Sequence, residues 1–144
     1  MTIQDRFRSL VTRPCWLVAG LVLAALVLPA GAVQRDWIAG TAASNWFDGA
    51  NWTGGQYPQA GDTAVIASNA TVLLTNSTAV LDSLTLTNAT LVFSNWNTRL
   101  MATNVTVYGT IKHVLNTATT TNGSGGWDPN ARVSIVCSNL LLAT

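Results

Sequence analysis

The groups in residues 33–144 that could move a proton or attack a substrate are few: Asp36, Asp48, Asp62, Asp82 and Asp128, with Lys112, His113 and Cys137, and no Glu anywhere. Hydrolysis of a glycosidic bond needs two carboxyl groups about 5–10 Å apart. Lyase chemistry needs acidic metal ligands beside a basic side chain, and successive Asp here lie at least 12 residues apart. Asp48 stands beside Gly49 and Asp62 follows Gly61, positions that read as turn caps. His113 has no partner at a metal-ligand spacing, so no metal is expected. Cys137 shares the parity of the apolar Val133 and Ile135 and reads as a small buried hydrophobe rather than a reactive thiol. The inventory predicts a chain that is not an enzyme and uses no cofactor.

The aromatic residues offer a different chemistry, stacking on a sugar or another planar ligand. Trp37, Trp46 and Trp52 fall in a Gly-rich stretch and are expected to close the exposed end of the fold. Trp127 differs, because it lies in Thr119-Thr-Thr-Asn-Gly-Ser-Gly-Gly-Trp-Asp-Pro-Asn130, which reads as an inserted loop. Loops on a regular scaffold are where binding residues concentrate. Trp127, Asp128 and Asn130 are therefore the candidate ligand-binding residues. Asn51, Asn69, Asn76, Asn88, Asn104 and Asn122 head glycosylation sequons, which a chain this rich in Thr and Asn generates by composition.

The elements that must position these groups follow from a block that recurs three times. Residues 79–93, 100–113 and 135–144 align on Leu84, Val105 and Leu140, which are 21 and 35 residues apart, so the second interval is one repeat plus a loop at about 114–131. Repeats of this length made of short strands predict stacked parallel rungs. With a side-chain period of two, Leu84 and Leu86, Val105 and Val107, and Leu140 and Leu142 face one core. Leu91 with Phe93 and Ile111 with His113 form a second inward face, which puts His113 at the core edge. Segments 63–67 and 70–74, turned by Ser68-Asn69, supply the first coil, and Asp82, Thr103 and Ser138 occupy one repeated corner. The fold class is all-β, a right-handed parallel β-helix, with residues 33–62 as an aromatic N-terminal cap and 63–144 as coils. The third copy reaches Thr144 within a repeat. Downstream coils of the same polypeptide are accordingly expected to stack on it.

Residues 1–32 carry the address. Arg6, Arg8 and Arg13 precede an apolar run from Trp16 to Leu28, and Pro29-Ala-Gly-Ala32 ends in a small-residue site. That order predicts a signal peptide cleaved after Ala32, and a secreted or cell-surface protein. In residues 33–144 four cations face five Asp, for a net charge of −1. Without a basic cluster, neither nucleic acid nor an anionic membrane is an expected partner. Cys137 alone follows the signal segment, so no disulfide framework is expected there.

The stretch Trp37-Ile-Ala-Gly, Asn45-Trp-Phe-Asp-Gly-Ala-Asn-Trp52 and Tyr57-Pro-Gln-Ala-Gly-Asp-Thr-Ala-Val-Ile66, followed by the Thr/Val/Leu rungs, resembles the start of bacterial secreted parallel β-helix proteins. It is similar to autotransporter passengers with associated β-strand repeats. The resemblance covers about residues 37–144 and implies a surface protein, structural or adhesin-like, with an extracellular polysaccharide or another surface protein as partner. The same fold also carries polysaccharide lyases and glycosidases, so a carbohydrate-active enzyme with catalytic residues beyond Thr144 is the alternative.

Overall fold

A computed structural model describes residues 31–143. The expected export signal rests almost wholly on residues 1–30, outside the described residues. Within them lie seven strands: β1 (Gln34–Asp36), β2 (Ser44–Asn45), β3 (Thr63–Ile66), β4 (Thr71–Leu74), β5 (Leu81–Phe93), β6 (Leu100–His113) and β7 (Ile135–Leu142). No helix among the described residues is long and apolar enough to cross a membrane.

Every strand-to-strand pairing is parallel. β3 and β4 lie against successive halves of β5, with Ala64 opposite Leu84 and Ile66 opposite Leu86, then Val72 opposite Leu91 and Leu74 opposite Phe93. β6 repeats the path of β5, with Leu84 against Val105, Leu86 against Val107 and Leu91 against Ile111. β7 adds Leu140 against Val105 and Leu142 against Val107. The register therefore follows the spacings of the repeat. The 35-residue interval contains the 114–134 connection between β6 and β7. No hairpin forms between 84–86 and 91–93, because both stretches belong to the single strand β5.

The inward–outward alternation breaks where Asp82–Ser83 and Thr87–Asn88 of β5 both lie off the core, and the sheet curls as a half-barrel. In β5 the corner falls at Thr87–Thr90, where the register with β6 shifts by one residue. Asn88 takes φ 50°, a left-handed conformation that Asn tolerates better than most residues. The sequence pointed to Asn69 for that role, yet Asn88 is the non-Gly residue with positive φ among the described residues. Gly109 faces this corner from β6, where an added Cβ would lie 2.5 Å from the Ala89 carbonyl oxygen. Only glycine fits there without displacing backbone.

The concave side holds the core. Ile66, Val72, Leu74, Leu81, Leu84, Leu86, Leu91, Phe93, Leu100 and Val105 are buried, each such side chain adding about 1.5–3 kcal/mol when fully removed from water. At the β1/β2 side, Trp46 and Trp52 are completely buried and Trp37 nearly so. Their rings meet edge to face, 5.0 Å apart for Trp37–Trp52 and 4.8 Å for Trp46–Trp52. Such pairs contribute about 0.5–1.5 kcal/mol beyond burial. The Trp52 indole N–H donates to the Trp46 carbonyl at 2.7 Å. Backbone bonds from Trp37 N to Val65 O and Trp46 N to Leu73 O carry the sheet's pairing onto this cluster.

His113 departs from its expected place. It lies in register with Phe93 but is exposed, its Nδ1 2.6 Å from the Val114 carbonyl oxygen. The pairing of β6 with β7 reaches Val107, and among the described residues no strand pairs with 110–113 on that side.

Candidate functional site

The loop between β6 and β7 brings the candidate residues together and fixes them with its own polar groups. Its tip is a small turn. Thr121 and Trp127 form an antiparallel bridge, and Asn122 accepts from Ser124 N at 3.0 Å and Gly126 N at 2.8 Å through its side-chain oxygen. Asn122 also donates from Nδ2 to Asp128 Oδ1 at 3.2 Å. Asn130 is engaged on both sides, accepting from Thr117 N at 3.2 Å and donating to Thr117 Oγ1 at 2.9 Å. Its amide is thus committed to bracing the loop. Asp128 keeps an exposed carboxylate with one amide contact.

Trp127 supplies the surface. Its indole N–H donates to the Ala118 carbonyl at 2.8 Å, which fixes the ring while leaving the residue 54% exposed. An aromatic face held this way loses little conformational freedom when a planar ligand stacks on it. Below the tip, Ala131 is buried and its N–H donates to Asn116 Oδ1 at 2.7 Å. Arg132 lies across the neighbouring 94–99 turn, its guanidinium carbon 4.3 Å from the Trp96 ring centre and its Nε donating to the Trp96 carbonyl at 2.9 Å. This cation–π contact, worth about 0.5–1 kcal/mol at a surface, joins the loop to the half-barrel.

The carboxylates are dispersed over other elements. Asp48 accepts from Ala50 N at 3.0 Å and caps a short 3-10 turn, Gly49–Asn51. Asp62 is buried and accepts from Val33 N and Gln59 N, both at 2.9 Å. Asp36 accepts from the Gln34 amide at 2.8 Å. The turn-capping reading of Asp48 and Asp62 holds. Among the described residues, no three of His, Cys, Asp and Glu gather as a metal site. Cys137 is half-buried, in register with Ala102, which in turn pairs with Leu81.

A second surface feature escaped the reading of single residues. Asn69-Ala-Thr71, Asn88-Ala-Thr90 and Tyr108-Gly-Thr110 stack at one corner and line a shallow groove of about 270 Å³. Asn88 Nδ2 donates to Asn69 Oδ1 at 2.6 Å, Thr71, Thr90 and Thr110 stand in register, and Tyr108 is exposed. The signal in the sequence is Asn-Ala-Thr, which occurs at 69–71 and again at 88–90.

No curated protein and no solved structure matches the chain significantly. Residues 51–122, from Trp52's neighbour through β3–β6 to the tip of the candidate loop, match the family described as the G8 domain. With half its length in that match and a parallel sheet curled as a half-barrel, the chain belongs to the G8 domain family.

Proposed function

We propose that this G8 domain is a non-catalytic scaffold of a secreted or cell-surface protein, structural or adhesin-like, which presents the β6–β7 loop to an extracellular polysaccharide or another surface protein. Its half-barrel is then a segment of a right-handed parallel β-helix of the kind found in autotransporter passengers, with the Trp37–Trp46–Trp52 cluster as its cap. The stacking of Ala64, Leu84 and Val105 at intervals of 20 and 21 residues supports that reading. The order of basic, apolar and small residues in 1–32 supports the location.

The observation that carries the binding role is the Trp127 ring, half exposed yet anchored through its N–H to Ala118. Sugar rings present apolar C–H faces that stack on such surfaces, and the Asp128 carboxylate beside it can accept from a hydroxyl. The test is retention on insoluble and immobilised polysaccharides by affinity electrophoresis, comparing the protein with Trp127→Ala. Retention that falls about tenfold or more, with an unchanged melting temperature, is expected. Equal retention of both proteins would remove Trp127 from the site. Release of reducing ends or unsaturated products by the protein would replace the scaffold reading with the enzymatic one.

A further inference from the structure

Asn122 is the only asparagine in the sequence that is followed by glycine, and the tip of the β6–β7 loop surrounds its amide with groups that act on a carbonyl. Ser124 N and Gly126 N both donate to its Oδ1, at 3.0 and 2.8 Å, while its Nδ2 donates to the Asp128 carboxylate at 3.2 Å. Gly126 permits the close approach, because a Cβ there would lie 3.1 Å from Asn122 Nδ2 and 3.3 Å from Oδ1. Gly125, at φ 79°, makes the left-handed step between the two donors.

Two N–H groups aimed at one carbonyl oxygen stabilise the negative charge that develops there when the carbon is attacked. The attacking group is the next one in the chain. A bond from Gly123 N to Asn122 Cγ closes a succinimide ring, and covalent connection keeps the two atoms within reach of each other. The Gly123 N–H makes no hydrogen bond among the described residues. Glycine also brings no Cβ to obstruct its approach to Cγ. Asn122 and Gly123 are both exposed, so water reaches them.

We propose that Asn122 is a self-modification site, at which the folded loop promotes conversion of the amide to a carboxylate. Gly123 N bonds to Cγ and gives up its proton, the Cγ–Nδ2 bond breaks, and Nδ2 leaves with that proton as ammonia. Water then adds to either carbonyl of the ring. Breaking the new Gly123 N–Cγ bond gives an aspartyl residue at 122, and breaking the original peptide bond gives an isoaspartyl residue. Water is the only co-reactant, and nothing is oxidised or reduced. The product replaces the Asn122–Asp128 hydrogen bond with two like charges, and the isoaspartyl form lengthens the backbone. The tip that carries Trp127 thereby undergoes a slow, one-way change of charge and shape. The proposal goes beyond the scaffold reading and does not depend on it.

The purified full chain, kept in neutral buffer, tests it by peptide mapping with mass spectrometry that separates aspartyl from isoaspartyl products. Residue 122 is expected to convert about fivefold or more faster in the native chain than in the same chain unfolded in guanidinium chloride, because unfolding removes both N–H donors. A native rate equal to or below the unfolded one overturns the proposal, since the fold would then leave the amide alone or protect it. Gly123→Ala has open space for its methyl and should keep the fold, checked by circular dichroism, while slowing conversion about tenfold or more. Conversion of Gly123→Ala as fast as native would overturn attack by the Gly123 nitrogen and leave direct hydrolysis of the amide.

Discussion

The carboxylate of Asp62 lies 3.6 Å from Nε of Arg35, an ion pair joining the start of β3 to β1 with little exposure on either side chain. Its oxygens also accept from Val33 N and Gln59 N, while Arg35 Nη1 donates to the Thr53 carbonyl at 3.2 Å. One buried acid thus ties residues 33–35 to the 59–62 turn, and Arg35 extends the link to Thr53. Asp62→Ala should destabilise the protein by about 2–4 kcal/mol, because two backbone donors lose a charged acceptor. Asp62→Asn keeps one carbonyl oxygen and should cost about half as much. Urea unfolding followed by tryptophan fluorescence measures both, and equal losses for the two variants would contradict the account.

Gly109→Ala should cost about 1–3 kcal/mol, since the new methyl would meet the Ala89 carbonyl oxygen, which cannot move without opening the β5–β6 corner. Gly123→Ala has nothing within 4 Å and should change stability by less than about 0.5 kcal/mol. Thermal melts of the pair test whether close backbone approach, rather than helix or turn propensity, sets the glycine requirement at 109.

The Trp cluster predicts a graded response at its centre. Trp52→Ala removes a completely buried indole and should cost about 3–5 kcal/mol. Trp52→Phe retains much of the packing but loses the bond to the Trp46 carbonyl, and should cost about 1–2 kcal/mol more than the smaller ring volume alone explains. Chemical denaturation with near-ultraviolet circular dichroism separates the two, because the edge-to-face geometry dominates that signal.

Export predicts a defined start. Mass spectrometry of material recovered from outside the cytoplasm should give a chain beginning at Val33. Recovery of intact residues 1–28 in a membrane fraction would show that the apolar run is retained as an anchor.

The vertical register was legible in the sequence. Leu84, Val105 and Leu140 announce their alignment because strands paired in parallel set the same positions opposite one another, so the apolar pattern repeats wherever the chain returns to the same wall. Local capping was legible for the same kind of reason: Asp48 acts within three residues of itself. What the rungs do beyond their pairing was decided by contacts between distant segments. His113 reads as a core-edge residue by alignment with Phe93, but its burial depends on what packs beyond β6, and no described strand pairs with 110–113 on that side. Asn130 reads as free for a ligand, yet Thr117, distant in sequence, takes both ends of its amide. Arg132 finds Trp96 across 36 residues, a contact that no local spacing encodes. Periodicity reports which face a residue shares, because each rung repeats the same environment. Exposure and free hydrogen-bonding capacity belong to the whole fold, because they depend on what else packs there.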